Sequence, residues 1–167
     1  MGKDFTFHKI RLTTQAFANL LKRLHGNKEI AVMVNYDTRY LSETFTQKAA
    51  QILALNKIHA FSPLRDAPTP AMALAIVQKQ MQGGMCFTAS NNEPIYNGIK
   101  IFNAKGAPAL PSKTLLLENE IKKNRTRFSF QAPISRFESD SLPGYPFTIP
   151  GLYRHHRPIG HHQTRPS

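Results

Sequence analysis

Short apolar runs alternate with longer amphipathic stretches along the chain, and this alternation limits the folds that are possible. Residues 30–34 (IAVMV) are continuously apolar, which is typical of a strand buried on both faces of a parallel sheet. Residues 9–25 before this run and 42–56 after it repeat their apolar side chains at helical spacing. Three more strands are predicted from apolar runs, at residues 57–61, 84–88 and 99–102.

Two further helices are predicted from their start signals. Thr69 followed by Pro70 is typical of an N-cap with proline at the first helical position. A last helix is predicted over 111–123 with Ser112 as its N-cap, and Ser42 is predicted to cap the helix over 42–56. Strands that alternate with helices indicate an α/β protein, here a three-layer α/β/α sandwich with a mixed, largely parallel sheet.

The charge is concentrated near the C-terminus. The 167-residue chain has a formal net charge of +12, which raises the possibility of a nucleic-acid partner. Residues 121–167 hold eight basic and two acidic residues, and so carry half of the excess. Residues 124–167 show no helical or strand periodicity and are rich in Pro, His and Arg. We therefore predict a domain over 3–123 and an irregular, disordered or frameshift-derived basic tail over 124–167.

The predicted tail leaves three hypotheses open. Its abrupt change of composition fits a frameshifted continuation of a longer gene, because codons for residues 153–157 can read Ile-Asp-Ile-Ile in a shifted frame. Its basic residues can contact nucleic acid, but without aromatic-basic interleaving or a helix-turn-helix we do not expect such binding. Clustered histidines can hold zinc or nickel adventitiously, and the tail has four: His155, His156, His161 and His162.

The sequence gives no sign of membrane insertion or secretion. Its apolar runs are only a few residues long, far short of the roughly 20 that cross a bilayer. The first ten residues lack the apolar core of a signal peptide. Cys86 is the single cysteine and lies in a predicted strand, so it forms no internal disulfide. We expect a cytoplasmic protein without a membrane partner.

A polar segment separates the last two predicted strands. Residues 88–100 read TASNNEPIYNGIK, a run of small and polar residues with one serine, Ser90, and one lysine, Lys100. In open α/β sheets, ligands bind beyond the carboxyl ends of the strands, which is where this loop is expected. Either residue alone would be an ordinary loop or edge residue, so the surrounding pattern decides the interpretation.

That pattern resembles the active-site loop of the α-D-phosphohexomutases, the phosphoglucomutase and phosphomannomutase group. The family pattern is Thr-Ala-Ser-His-Asn-Pro, a short spacer and Tyr-Asn-Gly-x-Lys. Residues 35–39 (NYDTR) are similar to the family's Gly-Tyr-Asp-Thr-Arg turn, and residues 67–71 (APTPA) to its Pro-Thr-Pro segment. Because these motifs occur in the family's order, the resemblance covers the first family domain from about residue 3 to about residue 123.

The resemblance implies functions for Ser90 and Lys100. Ser90 would carry a phosphoryl group and exchange it with a hexose phosphate through a bisphosphate intermediate. Lys100 would act as a general acid/base or as a neutralising charge. Mg²⁺, the family's metal, would contact Ser90 through its phosphate. Apart from the resemblance, Asp37 and Arg39 are predicted to form a structural turn pair, because turns favour Asp. The remaining loop residues implied to support the site are Thr88, Ala89, Asn91, Asn92, Tyr96, Asn97 and Gly98.

The sequence also departs from the family pattern. Asn91 replaces a titratable histidine, and Glu93 replaces a proline and adds negative charge beside Ser90. The family's first strand, its Asp-Gly-Asp-x-Asp metal loop and its three later domains have no counterpart in these 167 residues. We therefore expect a truncated first domain with little turnover by itself and no stably bound Mg²⁺. The alternative is a basic nucleic-acid-binding or interaction module, and a partner that supplies the missing domains is a further hypothesis.

Overall fold

A computed structural model describes residues 5–93 and 96–128. Strands and helices alternate along the chain up to a β-hairpin, and a long helix follows it. The elements are α1 (Phe7–His25), β1 (Ala31–Tyr36), α2 (Ser42–Leu55), β2 (His59–Phe61), α3 (Thr69–Gln78), β3 (Gly83–Phe87), β4 (Ile99–Asn103) and α4 (Pro111–Phe128).

The four strands form one mixed sheet in the order β2-β1-β3-β4. β1 runs parallel to both β2 and β3, with Val32 opposite Ala60 on one side and opposite Gly83 on the other. β4 pairs antiparallel with β3, so that Lys100 lies opposite Cys86. The predicted mixed, largely parallel sheet is confirmed. Among the described strands, the one antiparallel strand is β4, which follows the polar loop.

Helices cover both faces of the sheet, which confirms the three-layer fold. One apolar cluster joins α1, α2 and α4 to one face, and a second joins α3 to the other face. β1 and β3 are buried on both faces because they lie between the two clusters. Large side chains at the centre of the first cluster include Ile10, Phe45, Leu53 and Phe87, and those of the second include Met72, Ile76 and Met81.

The ends of the first helix follow from local chemistry. The Thr6 hydroxyl accepts a hydrogen bond from the backbone N–H of Lys9 at 3.2 Å, as an N-cap side chain does. Gly26 ends α1 with a φ of 62°, and its N–H donates to the carbonyl of Lys22 at 2.8 Å. The amphipathic pattern therefore predicted the element, and the cap residues set its limits.

Several predicted boundaries were wrong. Ser42 and Ser112 are not N-caps, because α2 is preceded by Leu41 in the left-handed region and α4 already begins at Pro111. α3 begins at Thr69 with Pro68 as the preceding cap residue. α4 continues to Phe128, beyond its predicted end, so basic residues assigned to the tail belong to a helix. The predictions for residues 129–167 lie outside the described residues.

Within residues 5–93 and 96–128, no helix combines the length and the apolar character that crossing a bilayer requires.

Candidate functional site: the serine loop and its arginine

The loop between β3 and β4 lies at the carboxyl edge of the parallel strands. β1 and β3 both end at this edge, and the backbone N–H of Asp37 donates to the carbonyl of Phe87 at 3.2 Å. The segment after β2 reaches the same edge, where the N–H of Ala67 donates to the carbonyl of Tyr36 at 3.2 Å. Three chain segments therefore meet where α/β sheets place their ligands.

Ser90 is exposed at the tip of a tightly defined turn. Its φ of 57° is in the left-handed region, which a non-glycine residue adopts only when its surroundings enforce it. Its N–H donates to the hydroxyl of the buried Thr88 at 3.0 Å. The N–H of Thr88 in turn donates to the carbonyl of Gly98 at 3.0 Å, which closes the base of the loop. The hydroxyl of Ser90 is thus presented to solvent from a fixed backbone.

Arg39 holds the interior of this loop. Its Nη2 donates to the carbonyls of Ser90 and Asn92, both at 2.7 Å. Its Nη1 donates to the carbonyls of Glu93 and Tyr96 at 2.6 and 3.0 Å. Only 10 % of the Arg39 side chain is exposed, so these bonds are partly shielded from water. One guanidinium group therefore gathers four carbonyl oxygens of the loop.

Asp37 orients the arginine and connects it to α2. Its Oδ2 accepts from Nε of Arg39 at 3.1 Å, and its Oδ1 accepts from the backbone N–H of the same residue at 3.1 Å. The Ser42 hydroxyl lies 3.2 Å from Oδ1 of Asp37 and 3.0 Å from Oδ1 of Asn97. The amide of Asn97 donates to the carbonyl of Tyr40 at 3.0 Å. The turn after β1 and the start of α2 therefore brace both ends of the serine loop.

Lys100 stands on β4 just after the loop. Its side chain is exposed and makes no hydrogen bond or ion pair with the described residues. Its strand partner Cys86 lies one residue before the end of β3, which places Lys100 at the loop end of the β3–β4 hairpin. The structure therefore brings the predicted serine and lysine to the same end of one hairpin.

The surface beside Ser90 is open and polar. An open depression of about 430 Å³ is lined by Asn91, Asn92, Glu93 and Tyr96. A more apolar groove of about 460 Å³ lies between α1, α4 and β4 and includes Gln82 and Asn103, at the opposite edge of the sheet. The apolar groove shares no residue with the serine loop, so the polar depression is the candidate site.

A buried polar pair lies under the site. The Asn35 side chain is 1 % exposed, and its Nδ2 donates to the carbonyl of Ala67 at 2.8 Å. The same nitrogen lies 3.6 Å from Sγ of Cys86. Burial is the main reason that the pKa of the Cys86 thiol is raised above its usual value, because a thiolate would lose its hydration. The Cys86 side chain is buried and packs in the second apolar cluster.

The described residues do not form a metal centre by themselves. Within 5–93 and 96–128, no group of three or more His, Cys, Asp or Glu side chains could hold an ion. Asp37 is occupied by Arg39, and Glu93 is the single carboxylate in the described part of the serine loop. Mg²⁺ needs several oxygen ligands in octahedral geometry. By themselves the described residues therefore supply no such set of side-chain ligands for the metal that the resemblance implies.

Comparison with known proteins decides the family. The family model described as phosphoglucomutase/phosphomannomutase, alpha/beta/alpha domain I, matches residues 1–128. The chain belongs to the phosphoglucomutase/phosphomannomutase family. The matched range ends where α4 ends, so the whole described fold lies within this domain I.

Individual relatives agree with the family model. A phosphoglucomutase from Staphylococcus saprophyticus is 34 % identical over 127 residues, which is 76 % of this chain and 22 % of that protein. A phosphoglucomutase from Staphylococcus aureus is 26 % identical over 152 residues, 91 % of this chain and 27 % of that protein. The chain therefore spans about a quarter of the length of these curated relatives.

Solved structures of the family share the fold. One described as a phosphomannomutase, from Thermus thermophilus, superposes with a TM-score of 0.69 at 27 % identity, covering 72 % of this chain and 27 % of the other. A phosphoglucomutase/phosphomannomutase family protein from Burkholderia thailandensis gives a TM-score of 0.64 at 22 % identity, covering 75 % of this chain and 28 % of the other. The second match supports the fold alone.

The position of Arg39 is what the sequence did not reveal. Asp37 and Arg39 were predicted to form a structural turn pair, and their ion pair at 3.1 Å agrees with this. The four bonds from Arg39 to the serine loop were not predicted, because they join residues more than fifty positions apart. The available signal was that the Asn-Tyr-Asp-Thr-Arg turn follows a strand that ends at the same sheet edge as the loop.

Proposed function

We propose that Ser90 is the phosphoryl-carrying serine of a phosphohexomutase domain I. The supporting observation is the exposed Ser90 at the tip of a braced loop, at the ligand-binding edge of the sheet in a chain of this family. The proposed substrate class is a hexose phosphate, and the reaction class is intramolecular phosphoryl transfer through a bisphosphate.

The proposed step at Ser90 conserves atoms and charge. A bond forms between Oγ of Ser90 and the phosphorus of a hexose bisphosphate, while the bond between that phosphorus and the sugar oxygen breaks. The proton of the Ser90 hydroxyl leaves, and the sugar oxygen gains one. Transfer of this kind depends on in-line positioning and on neutralising the charge of the phosphoryl oxygens. The fixed backbone of the loop would supply the first requirement.

Lys100 is the residue that we propose to neutralise the charge of the phosphoryl oxygens. Its ammonium group has no ion pair with the described residues, so its charge is available to a bound phosphate. It can also give a proton to the leaving sugar oxygen and recover one from Ser90. Mg²⁺ would neutralise further charge in the complete family site. Because the described residues lack a ligand set for it, we assign it no step here.

The first experiment measures the half-reaction. The full chain is incubated with glucose 1,6-bisphosphate, and the phosphate gained is followed by intact-protein mass and peptide mapping. We expect one phosphate on Ser90 and none on the Ser90→Ala variant. Ser62→Ala, which removes a hydroxyl outside the loop, is the matched control and should behave like the parent chain.

The contrary outcomes are specific. A folded parent chain that gains no phosphate, or a phosphate that persists on Ser90→Ala, would reject the proposed role. A coupled mutase assay with glucose 1-phosphate, Mg²⁺ and a trace of bisphosphate then separates half-reaction from turnover. We expect little turnover, because the described residues contain no group of three or more His, Cys, Asp or Glu side chains that could hold Mg²⁺.

A further inference from the structure

We propose that Arg39 is the positioning residue of the serine loop and not a ligand of the phosphate; this inference rests on the function proposed for Ser90. A guanidinium group has five N–H donors. In Arg39, Nε serves Asp37, and Nη1 and Nη2 each serve two loop carbonyls. All five donors are therefore occupied, and none is left for a phosphate oxygen.

The geometry shows how Arg39 acts on the reacting residue. One of its four loop acceptors is the carbonyl of Ser90, at 2.7 Å. The others are the carbonyls of Asn92, Glu93 and Tyr96, so the guanidinium holds the loop backbone at these three residues as well as at Ser90. A φ of 57° at Ser90 is unfavourable for a free loop. Arg39 supplies the bonds that hold this conformation.

The same contacts orient the peptide dipoles. In a trans peptide, the C=O and the following N–H point in opposite directions, and the described residues contain no cis bond. Because the carbonyls of Ser90 and Asn92 point at Arg39, the N–H groups of Asn91 and Glu93 point away from it. Outward N–H groups are favourable to an incoming phosphate. The positive charge of the guanidinium thus offsets the negative partial charges of the clustered carbonyl oxygens. The N–H ends of the same peptide groups are left to face the ligand.

Two roles of Arg39, binding the phosphate or positioning the serine loop, lead to different kinetic effects when the side chain is removed. Removing a ligand of the bisphosphate would raise the concentration that half-saturates the reaction. Removing a positioning residue should lower the maximal rate of Ser90 phosphorylation and leave half-saturation nearly unchanged. Because a misplacement of about 1 Å can cost on the order of 100-fold in rate, we expect a fall of that size for Arg39→Ala.

The experiment compares Arg39→Ala and Arg39→Lys with the parent full chain, using glucose 1,6-bisphosphate as the probe. Lys offers a single point charge with three donors, so it should restore only part of the rate. Arg23→Ala is the matched control, because that arginine is 57 % exposed and makes one surface ion pair with Glu120. Circular dichroism and thermal melting establish that each variant is folded.

A second readout tests the loop without chemistry. Hydrogen exchange is followed at the loop amides that the structure shows as hydrogen-bonded: Thr88, Ser90, Asn92 and Tyr96. We expect at least about tenfold faster exchange at these amides in Arg39→Ala, with β1 and β3 as internal references. Arg39→Lys should lie between this variant and the parent chain.

The outcomes separate the two proposals. If the parent chain is phosphorylated and Arg39→Ala reacts equally fast, or changes only half-saturation, the positioning role is overturned. If the parent chain takes up no phosphate, the role proposed for Ser90 fails. Hydrogen exchange at the loop amides then tests by itself whether Arg39 holds the loop. Unchanged loop exchange in both Arg39 variants would then reject the role of Arg39, and faster exchange would sustain it.

Discussion

The hydroxyl of Ser42, in the first turn of α2, lies 3.0 Å from Oδ1 of Asn97 in the serine loop. The two residues are 55 positions apart, and the same hydroxyl lies 3.2 Å from the carboxylate of Asp37. A serine hydroxyl has one proton, so it donates to these two acceptors alternately or through a shared bond. Ser42 thus connects the turn that carries Arg39 with the loop that carries Ser90.

Ser42→Ala should therefore destabilise the domain and loosen the loop. Ser42 is fully buried, and the variant leaves two acceptors without their shared donor. We expect the free energy of unfolding to fall by about 1–3 kcal/mol. Urea titration followed by circular dichroism measures this. Ser62→Ala, whose hydroxyl makes one contact of 3.5 Å, is the control and should change little. Equal stability of the two variants would contradict the bridging role.

Phe45→Ala should be the more damaging of two aromatic truncations on the same cluster. Phe45 is fully buried on α2, and its ring lies 6.2 Å from that of Phe87, at the end of the strand that leads into the loop. We expect a loss of about 3–5 kcal/mol in unfolding free energy, because the truncation leaves a cavity. Phe7→Ala is the control: Phe7 packs on Phe45 at 5.1 Å but is 39 % exposed. A similar loss for both variants would contradict the packing argument.

Asn35→Asp should introduce a pH-dependent defect. The variant loses the donor to the carbonyl of Ala67 and places a carboxylate in a position that is 1 % exposed. Burial disfavours the charged form, so the folded-state pKa of the new carboxyl lies above its unfolded value. Its destabilisation should therefore grow as the pH rises above about 4. Denaturant titrations at several pH values, with the exposed Asn27→Asp as control, measure the difference. A loss independent of pH would contradict it.

Cys86 should react slowly with alkylating reagents. Its raised pKa in the folded state means that the thiolate is scarcer than in the unfolded chain. The folded state therefore keeps its proton over a range where the unfolded state loses it. The free energy of unfolding therefore falls as the pH rises through this range. The stability contributed by the protonated Cys86 thiol is fully present below the unfolded-state pKa and is lost as the pH rises through the folded-state pKa.

Iodoacetamide labelling followed by mass spectrometry tests the cysteine. We expect slow labelling of the native chain near neutral pH, an increase only at alkaline pH, and rapid labelling in urea. The urea sample is the internal control for reagent activity. Labelling as fast in the native chain as in urea would show that the Cys86 thiol is neither buried nor protonated as the structure indicates.

The sequence was most informative where a periodic pattern runs through a whole element. The apolar run ending at Val34 and the helical spacing of Phe45, Ala49 and Leu53 predicted β1 and α2, because burial on a sheet requires those spacings. The caps were less predictable. Ser42 has the chemistry of an N-cap, yet its hydroxyl turns to Asp37 and Asn97 instead. The end of α4 was missed because four of its last five residues, 124–127, are polar and only Phe128 is apolar.

The sequence alone determined the order of strands and helices, the location of the polar loop, and the motifs that join Ser90 and Lys100 to one family. These properties depend on side chains close together along the chain. Only the tertiary structure decided that Arg39 reaches the carbonyls of Ser90, Asn92, Glu93 and Tyr96. The physical reason is that β1 and β3 are parallel neighbours. Their pairing brings two distant turns to one edge, and no local pattern records which donor then meets which carbonyl.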